Sequence, residues 1–250
     1  MKCVILAAGI SSRMRSLTGE VPKCLLSVGG RPILQRIIEN VLLAGVDRIG
    51  IVLGYKADLV REKFPNTQVQ FIDNPEFAST NNACSLLASR DFCLTEAGGN
   101  VPPERLLLLD SDIVFSPDLL PFLVHQPHPD VVAVRVEGDH NDEEIRVMVD
   151  EEKRIVLIGK ETPLAATYGE SIGIEIFSYG TAERLFRVLE RRVRAGAGRS
   201  EFYEASFQAM IDEGAELRAV DVTRFPATEI DTPEDLAYAE QVILPKLLSL

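Results

Sequence analysis

Residues 2–23 read KCVILAAGISSRMRSLTGEVPK, and the break in the middle of this stretch decides the fold. Lys2 to Ala8 is a short apolar run that ends at Gly9 in a polar, cationic turn holding Ser11, Ser12, Arg13, Thr18, Pro22 and Lys23. An apolar run of this length closed by a glycine turn reads as a buried first strand feeding a loop whose amides stay free. Successive backbone N–H groups in such a loop can point at one oxyanion, and Arg13 and Lys23 add charge where the amides stop. The planar guanidinium of Arg13 suits a spread of phosphate oxygens, whereas Lys23 is a movable point charge, so the two cations suit two jobs. Gly9, Ser11, Ser12, Arg13 and Lys23 are therefore the first candidate contacts of a phosphate.

Two common glycine loops fail here on spacing. The dinucleotide fingerprint G-x-G-x-x-G is broken by Ile10, Ser11, Ser12, Arg13 and Met14, and no glycine of the turn is followed by Lys and then Ser or Thr, as a P-loop requires. What remains is A-A-G-x-S-S-R-(x)n-P-K. It resembles the signature of the nucleotidyltransferases that make sugar nucleotides and CDP-alcohols, L-A-A-G-x-G-[ST]-R-(x)n-P-K, with Ser11 in place of the usual second glycine. Serine is small enough for the loop but lacks the freedom of glycine at positive φ, so one amide is aimed differently.

Working outward, the 250 residues suffice for one large α/β domain with a sizeable core, and one domain over 1–250 with a strand-rich insertion at about 131–172 is expected. Lys and Arg number 26 against 38 Asp and Glu, and the net charge of −12 repels nucleic acid and anionic membranes. A phosphate ligand must then be met by local basic groups or by a metal ion. Cys3, Cys24, Cys84 and Cys93 lack C-x-x-C spacing and read as small core residues of a reducing compartment. His125, His128 and His140 read as surface residues in turns. No apolar run approaches membrane length, so a cytoplasmic enzyme, monomer or homodimer, is the expectation.

Pro32 to Ala44 carries apolar residues at helical spacing, with Pro at its start and Gly45 closing it. A strand at 47–53, a helix at 57–64 and a strand at 69–72 follow. This alternation predicts an α/β fold, a mostly parallel sheet flanked by helices, and the resemblance above implies that the sheet is mixed and Rossmann-like. Ligands of such sheets bind beyond the carboxyl ends of the strands, where Gly9, Gly54 and Asp73 all fall. Arg105 to Asp110 (RLLLLD) is an unbroken apolar strand of the kind buried on both faces, and it ends in Asp110-Ser111-Asp112. Carboxylates there are hard oxygen ligands of the type Mg²⁺ takes alongside substrate phosphates. Three short alternating strands at 131–136, 145–149 and 154–158 predict a small antiparallel lobe. Glu170 to Phe177 is a further strand, Thr181 to Arg194 an amphipathic helix, 201–212 a helix, 216–222 a strand, and Pro233 to about Leu248 a closing helix.

The polar stretch Asn74-Pro75-Glu76-Phe77-Ala78-Ser79-Thr80-Asn81-Asn82 runs into a helix at 83–89. Either asparagine could cap that helix, but two adjacent amides with Thr80 and Ser85 exceed what a cap needs, and amides suit the edge of a nucleobase. The pattern N-P-x-[FY]-x-x-T-N-N-x-x-S-L is similar to a stretch of the cytidylyltransferases that activate phosphocholine, phosphoethanolamine and aminoethylphosphonate, more than to the hexose-1-phosphate branch.

That resemblance implies a nucleotide-diphospho-sugar transferase-like fold and transfer of CMP from CTP to a small phosphorylated alcohol or phosphonate, with loss of pyrophosphate. It implies Leu6, Ala7, Ala8 and Gly9 as nucleotide contacts, the last three presenting backbone groups to the base and ribose, Asn82 and Ser85 as further nucleotide contacts, and Mg²⁺ on Asp112 and on Asp231 of E-I-D-T-P-E-D, with Asp110 at the strand end beside them. Lys23 would act at the α-phosphate, Arg13 at the departing phosphates, and Lys160 of I-G-K-E-T-P at the acceptor anion. Tyr168, Glu170, Phe202, Tyr203 and Glu204 would face the acceptor. A hexose-1-phosphate nucleotidyltransferase using UTP, dTTP or GTP, and a nonenzymatic nucleotide-binding regulator, are the alternatives.

Overall fold

A computed structural model describes residues 1–10, 21–65, 69–95, 103–137 and 144–248. Ser11, Ser12, Arg13 and His140 lie outside the described residues, as does most of the predicted phosphate turn. The first strand, β1 (Lys2–Ala7), pairs in parallel with β4 (Arg48–Leu53) on one side and β6 (Leu106–Asp110) on the other. β5 (Val69–Asp73) adds in parallel outside β4. β11 (Gly169–Phe177) runs antiparallel beside β6 and carries the remainder of a nine-stranded sheet: β8 (Val131–Arg135) with β12 (Arg218–Asp221), and the antiparallel pair β9 (Arg146–Val149) and β10 (Ile155–Gly159). The three antiparallel strands read from the sequence thus continue the main sheet through β11.

Alternation along β1 and β6 splits the core into two faces. Cys3, Ile5, Ala7, Leu107 and Leu109 pack under α1 (Ile33–Leu43). Val4, Leu6, Leu106 and Leu108 pack under α6 (Tyr179–Arg194) and α7 (Glu204–Asp212). Both faces are covered, which is why these strands read as continuous apolar runs. Lys2 is the exception inside such a run. Its buried Nζ donates to the carbonyls of Phe92, Cys93 and Thr95, which capture the end of α4 (Arg90–Leu94) with a cation, a site suited to the negative end of a helix. All four cysteines are free and buried, and desolvation raises the thiols of Cys24 and Cys93 to about 12. No helix among the described residues is long and apolar enough to cross a membrane.

Strand order decides where a ligand can enter. β4 lies on one side of β1 and β6 on the other, so the loops leaving β1 and β6 diverge and leave a crevice at their carboxyl ends. A second, two-stranded ladder closes that crevice: β7 (Ile113–Phe115) pairs antiparallel with β13 (Ala227–Glu229), with Ile113 opposite Glu229. Asn40, buried on α1, donates to the Phe115 carbonyl at 3.1 Å and fastens β7 from below. Three-residue strands this far apart in sequence carry no pattern of their own, and the sequence did not announce them.

Candidate active site

The β7/β13 ladder has one consequence that matters most. It starts just after Asp112 and ends just before Asp231, and the Ile230 amide donates to the Asp112 carbonyl at 2.9 Å. Two carboxylates from distant parts of the chain are thereby set side by side. A capping box fixes the Asp231 end: Asp235 Oδ2 accepts from the amides of Asp231 (3.0 Å) and Thr232 (2.7 Å), while Thr232 Oγ1 accepts from the Asp235 amide at 3.2 Å. Asp235 is thus engaged in the cap, leaving the carboxylate of Asp231 to face the crevice.

Lys23 meets both. Pro22 leads into a 3-10 turn over Lys23–Leu25, and the lysine Nζ donates to Asp112 Oδ2 at 2.7 Å and to Asp231 Oδ1 at 2.5 Å. Burial alone would lower the pKa of this ammonium. The Asp112 and Asp231 carboxylates outweigh that and hold it above its ordinary value, so Lys23 is charged at any physiological pH. Carboxylate oxygens converging on a buried cation form a donor set of the hard-oxygen type that suits Mg²⁺. Among the described residues no group of three His, Cys, Asp or Glu could hold a metal ion by itself. Two carboxylates completed by phosphate oxygens are the arrangement that fits.

A cavity of about 730 Å³ opens over this triad, of the size that takes a small-molecule ligand. Leu6, Ala7, Ala8 and Gly9 line it, as do Asn82, Ser85, Asp110, Lys160, Glu170, Phe202 and Glu204. Carboxylates outnumber cations among its described lining residues by eight to three. A triphosphate entering such a space needs added positive charge.

A second carboxylate group lies against the floor of the same cavity. Asp110, Glu175 and Glu204 have raised pKa values, in each case chiefly through desolvation; neighbouring carboxylates add to it at Asp110 and Glu175, whereas Glu204 is pushed up to about 7 by desolvation against the pull of Lys160. Glu175 is completely buried and Glu204 is 4% exposed, and one oxygen of each has no hydrogen-bond partner among the described residues. Gly173 makes the crowding possible. It sits at φ +67° in a bulge of β11, and a Cβ there would stand 2.6 Å from Asp110 Oδ2. Glu229, whose side chain still meets solvent, is raised as well by the protein around it and by Asp112 and Asp231. The sequence reading missed Glu175 and Glu229. An acid inside the apolar run IGIEIF, and a second acid two places before Asp231, were the available signals.

Several predicted contacts have other partners. Gly54 is outside the cavity lining; it admits Phe77, whose Cβ would be 2.5 Å from a Gly54 Cβ, against the Ala8 carbonyl. Tyr168 also lies off the lining, with Lys153 Nζ 4.1 Å from its ring centre. Tyr203 is fully buried and donates its hydroxyl to Asp110 Oδ2 at 3.0 Å, so it supports the wall from behind. Glu170 is ion-paired with Arg135, and its carboxyl is raised to about 7 by burial and by Glu144 against the pull of that arginine. Lys160 Nζ stands 5.1 Å over the Phe202 ring. Ser85 is buried and accepts from Asn74 Nδ2 at 3.0 Å, and Asn82 Oδ1 accepts from the Tyr203 amide at 2.9 Å.

A doubly wound sheet whose switch point holds a lysine between two aspartates, with Gly9 on the same cavity, suits nucleotidyl transfer. The chain belongs to the MobA-like NTP transferase domain family, whose match runs over residues 3–208. It is 28% identical over 237 residues to 2-aminoethylphosphonate cytidylyltransferase of Lancefieldella rimae, covering 94% of this chain and 89% of that protein. It is 26% identical to CMP-5'-(3-aminopropyl)phosphonate synthase of Streptomyces rubellomurinus and 26% to the bifunctional protein GlmU of Methanocaldococcus jannaschii, covering 96% and 99% of this chain. The chain spans only 38% and 55% of those two longer proteins. In fold it matches the inositol-1-phosphate CTP transferase of T. maritima, with a TM-score of 0.75 at 22% identity over 97% of both chains.

Proposed function

We propose that the protein is a Mg²⁺-dependent cytidylyltransferase that moves CMP from CTP to a small phosphate or phosphonate carrying a primary amine. The observation that carries this reading is the convergence of Lys23, Asp112 and Asp231 at the switch point of the sheet. An acceptor oxygen attacks the α-phosphorus, the new O–P bond forms as the bond to the β-phosphate oxygen breaks, and pyrophosphate leaves with that electron pair. The acceptor is already anionic, so no general base is needed, and catalysis is positioning and charge neutralisation. Asp112 and Asp231 would hold Mg²⁺, which supplies Lewis-acid polarisation of phosphate oxygens. Lys23 neutralises charge growing at the α-phosphate, Arg13 the departing phosphates and Lys160 the acceptor anion.

The choice of cytidine rests on the phosphonate cytidylyltransferases among the relatives. The choice of a primary amine rests on Glu204, a pocket-lining carboxyl with an unpaired buried oxygen. A quaternary ammonium is held by a cage of rings, and the described lining offers only Phe77 and Phe202, the first of them packed on Gly54. Four free buried thiols support a reducing, cytoplasmic setting. Pyrophosphate release, measured with CTP, UTP, dTTP and GTP against 2-aminoethylphosphonate, phosphoethanolamine, phosphocholine and hexose-1-phosphates, tests the reading. CTP with an aminated acceptor should be fastest. Preference for UTP, dTTP or GTP with a hexose-1-phosphate would replace it by a sugar-nucleotide synthesis, and release with no pair at all would refute catalysis.

A further inference from the structure

The loop at 74–82 and the segment at 197–204 are separated by more than a hundred residues and are tied together. The Asn81 amide donates to the Arg199 carbonyl at 2.8 Å, and Asn81 Nδ2 donates to the Ser200 carbonyl at 3.3 Å. The Arg199 guanidinium forks onto both oxygens of Glu76, at 2.8 and 3.3 Å. The innermost tie is the one that reaches the site: Asn82 Oδ1 accepts from the Tyr203 amide at 2.9 Å. Tyr203 is fully buried, its hydroxyl is fastened to Asp110, and the next residue is Glu204. On the far side a Cβ at Gly198 would come within 2.9 Å of the α6 backbone at Arg192 and Val193, so the segment is wedged between that helix and the loop.

We infer that Asn82 is a positioning residue of the acceptor wall: its side-chain carbonyl holds the Tyr203 amide and, through it, the backbone that aims Glu204 into the cavity. The oxygen of Asn82 is committed to protein, which removes it as an acceptor for a nucleobase amine. The inference rests on the acceptor reading given above only for its kinetic half, and each half has its own test.

Two variants separate the roles. Asn82→Ala deletes the carbonyl, whereas Asn82→Asp keeps an oxygen that can accept from the Tyr203 amide, and an acid in the first turn suits the helix Asn82–Ala88. In Asn82→Ala, hydrogen exchange at the Tyr203 amide of the free protein should quicken about tenfold or more, a step that Asn82→Asp reverses. CTP affinity measured by calorimetry should stay within about twofold of the parent, while KM for the best aminated acceptor of the panel rises about tenfold and returns in Asn82→Asp. Arg199→Gln cuts only an exposed ion pair, so it must fold, and it should shift acceptor KM in the same direction by about twofold. Unchanged protection of the Tyr203 amide in Asn82→Ala overturns the inference, as does a loss of CTP affinity larger than the rise in acceptor KM. If no acceptor is turned over, the functional reading fails, and amide exchange with CTP affinity still decides the role of Asn82.

Discussion

Two groups of carboxylates meet at one cavity, lined by Asp112 and Asp231 on one side and by Asp110 and Glu204 with Glu175 buried beside them on the other, and they differ in their counter-ion. Asp112 and Asp231 close on Lys23, a cation built into the chain, at 2.7 and 2.5 Å. Asp110, Glu175 and Glu204 are packed as tightly, yet no described cation is bonded to them; the pull of Lys160 on Glu204 is weaker than the desolvation that raises it. Buried carboxylates without a counter-ion hold on to protons, and those with one stay charged. The contrast assigns the two groups different partners. Under the function proposed above, the first group would receive a phosphate that arrives with its own cation, and Glu204 of the second the positive charge of an acceptor.

Removing Lys23 makes the first group resemble the second, and it is the largest effect expected. Lys23→Ala should lower turnover about a thousandfold, equivalent to about 4 kcal/mol of barrier, while circular dichroism shows the fold retained. Mn²⁺ binding without nucleotide, followed by electron paramagnetic resonance, should tighten, because two carboxylates lose the ammonium that competes for them. Near-parental turnover would end the assignment of Lys23, and weaker Mn²⁺ binding would end that of the aspartates.

Glu204→Gln sharpens the contrast from the other side. The Glu204 carboxyl titrates near 7 in the fold against 4.5 ordinarily, so the fold favours its protonated form. The penalty of ionising it is absent below pH 4.5, grows between 4.5 and 7, and is complete above 7. Removing it should stabilise the protein at pH 8 by up to about 3 kcal/mol and leave it unchanged near pH 4.5, read from denaturant midpoints. The same variant should lose most of its preference for an aminated acceptor over a neutral one. Equal stability of the two proteins at pH 8 would show that Glu204 already has a counter-ion.

These two groups were not equally legible in the sequence. Lys23, Asp112 and Asp231 stand at element boundaries: after a proline, at the end of an unbroken apolar strand, before a helix cap. Such positions have local signatures. The ladder that joins them does not, because Ile113–Phe115 and Ala227–Glu229 are too short to show a period. The second group was harder still. Tyr203 reads as an acceptor contact in E-F-Y-E, since nothing local says that its ring is buried while Phe202 beside it is exposed. Glu175 carries the parity of an inward apolar position, and the bulge at Gly173, which gives β11 room beside Asp110, has no local pattern that announces it. Gly173→Ala tests that bulge. A methyl 2.6 Å from Asp110 Oδ2 at φ +67° should cost about 2 kcal/mol of stability in urea.

The smallest effect decides the most delicate point, the protonation of Asp110. Tyr203→Phe keeps the ring packed against Phe207, 5.2 Å between centres, and removes only the hydroxyl that donates to Asp110 Oδ2. A hydrogen bond to a neutral carboxyl contributes about 1 kcal/mol, whereas one to a buried carboxylate contributes about 1.5–3 kcal/mol because the charge is left without a donor. Asp110 is raised by burial first and by Asp112, Glu204 and Glu175 after it, all of which favour its neutral form, and the loss should then stay near 1 kcal/mol. Denaturant titrations at pH 7 read this directly. A loss near 3 kcal/mol would mean that Asp110 is ionised, that it has found a cation of its own, and that the two carboxylate groups are less different than their hydrogen bonds make them.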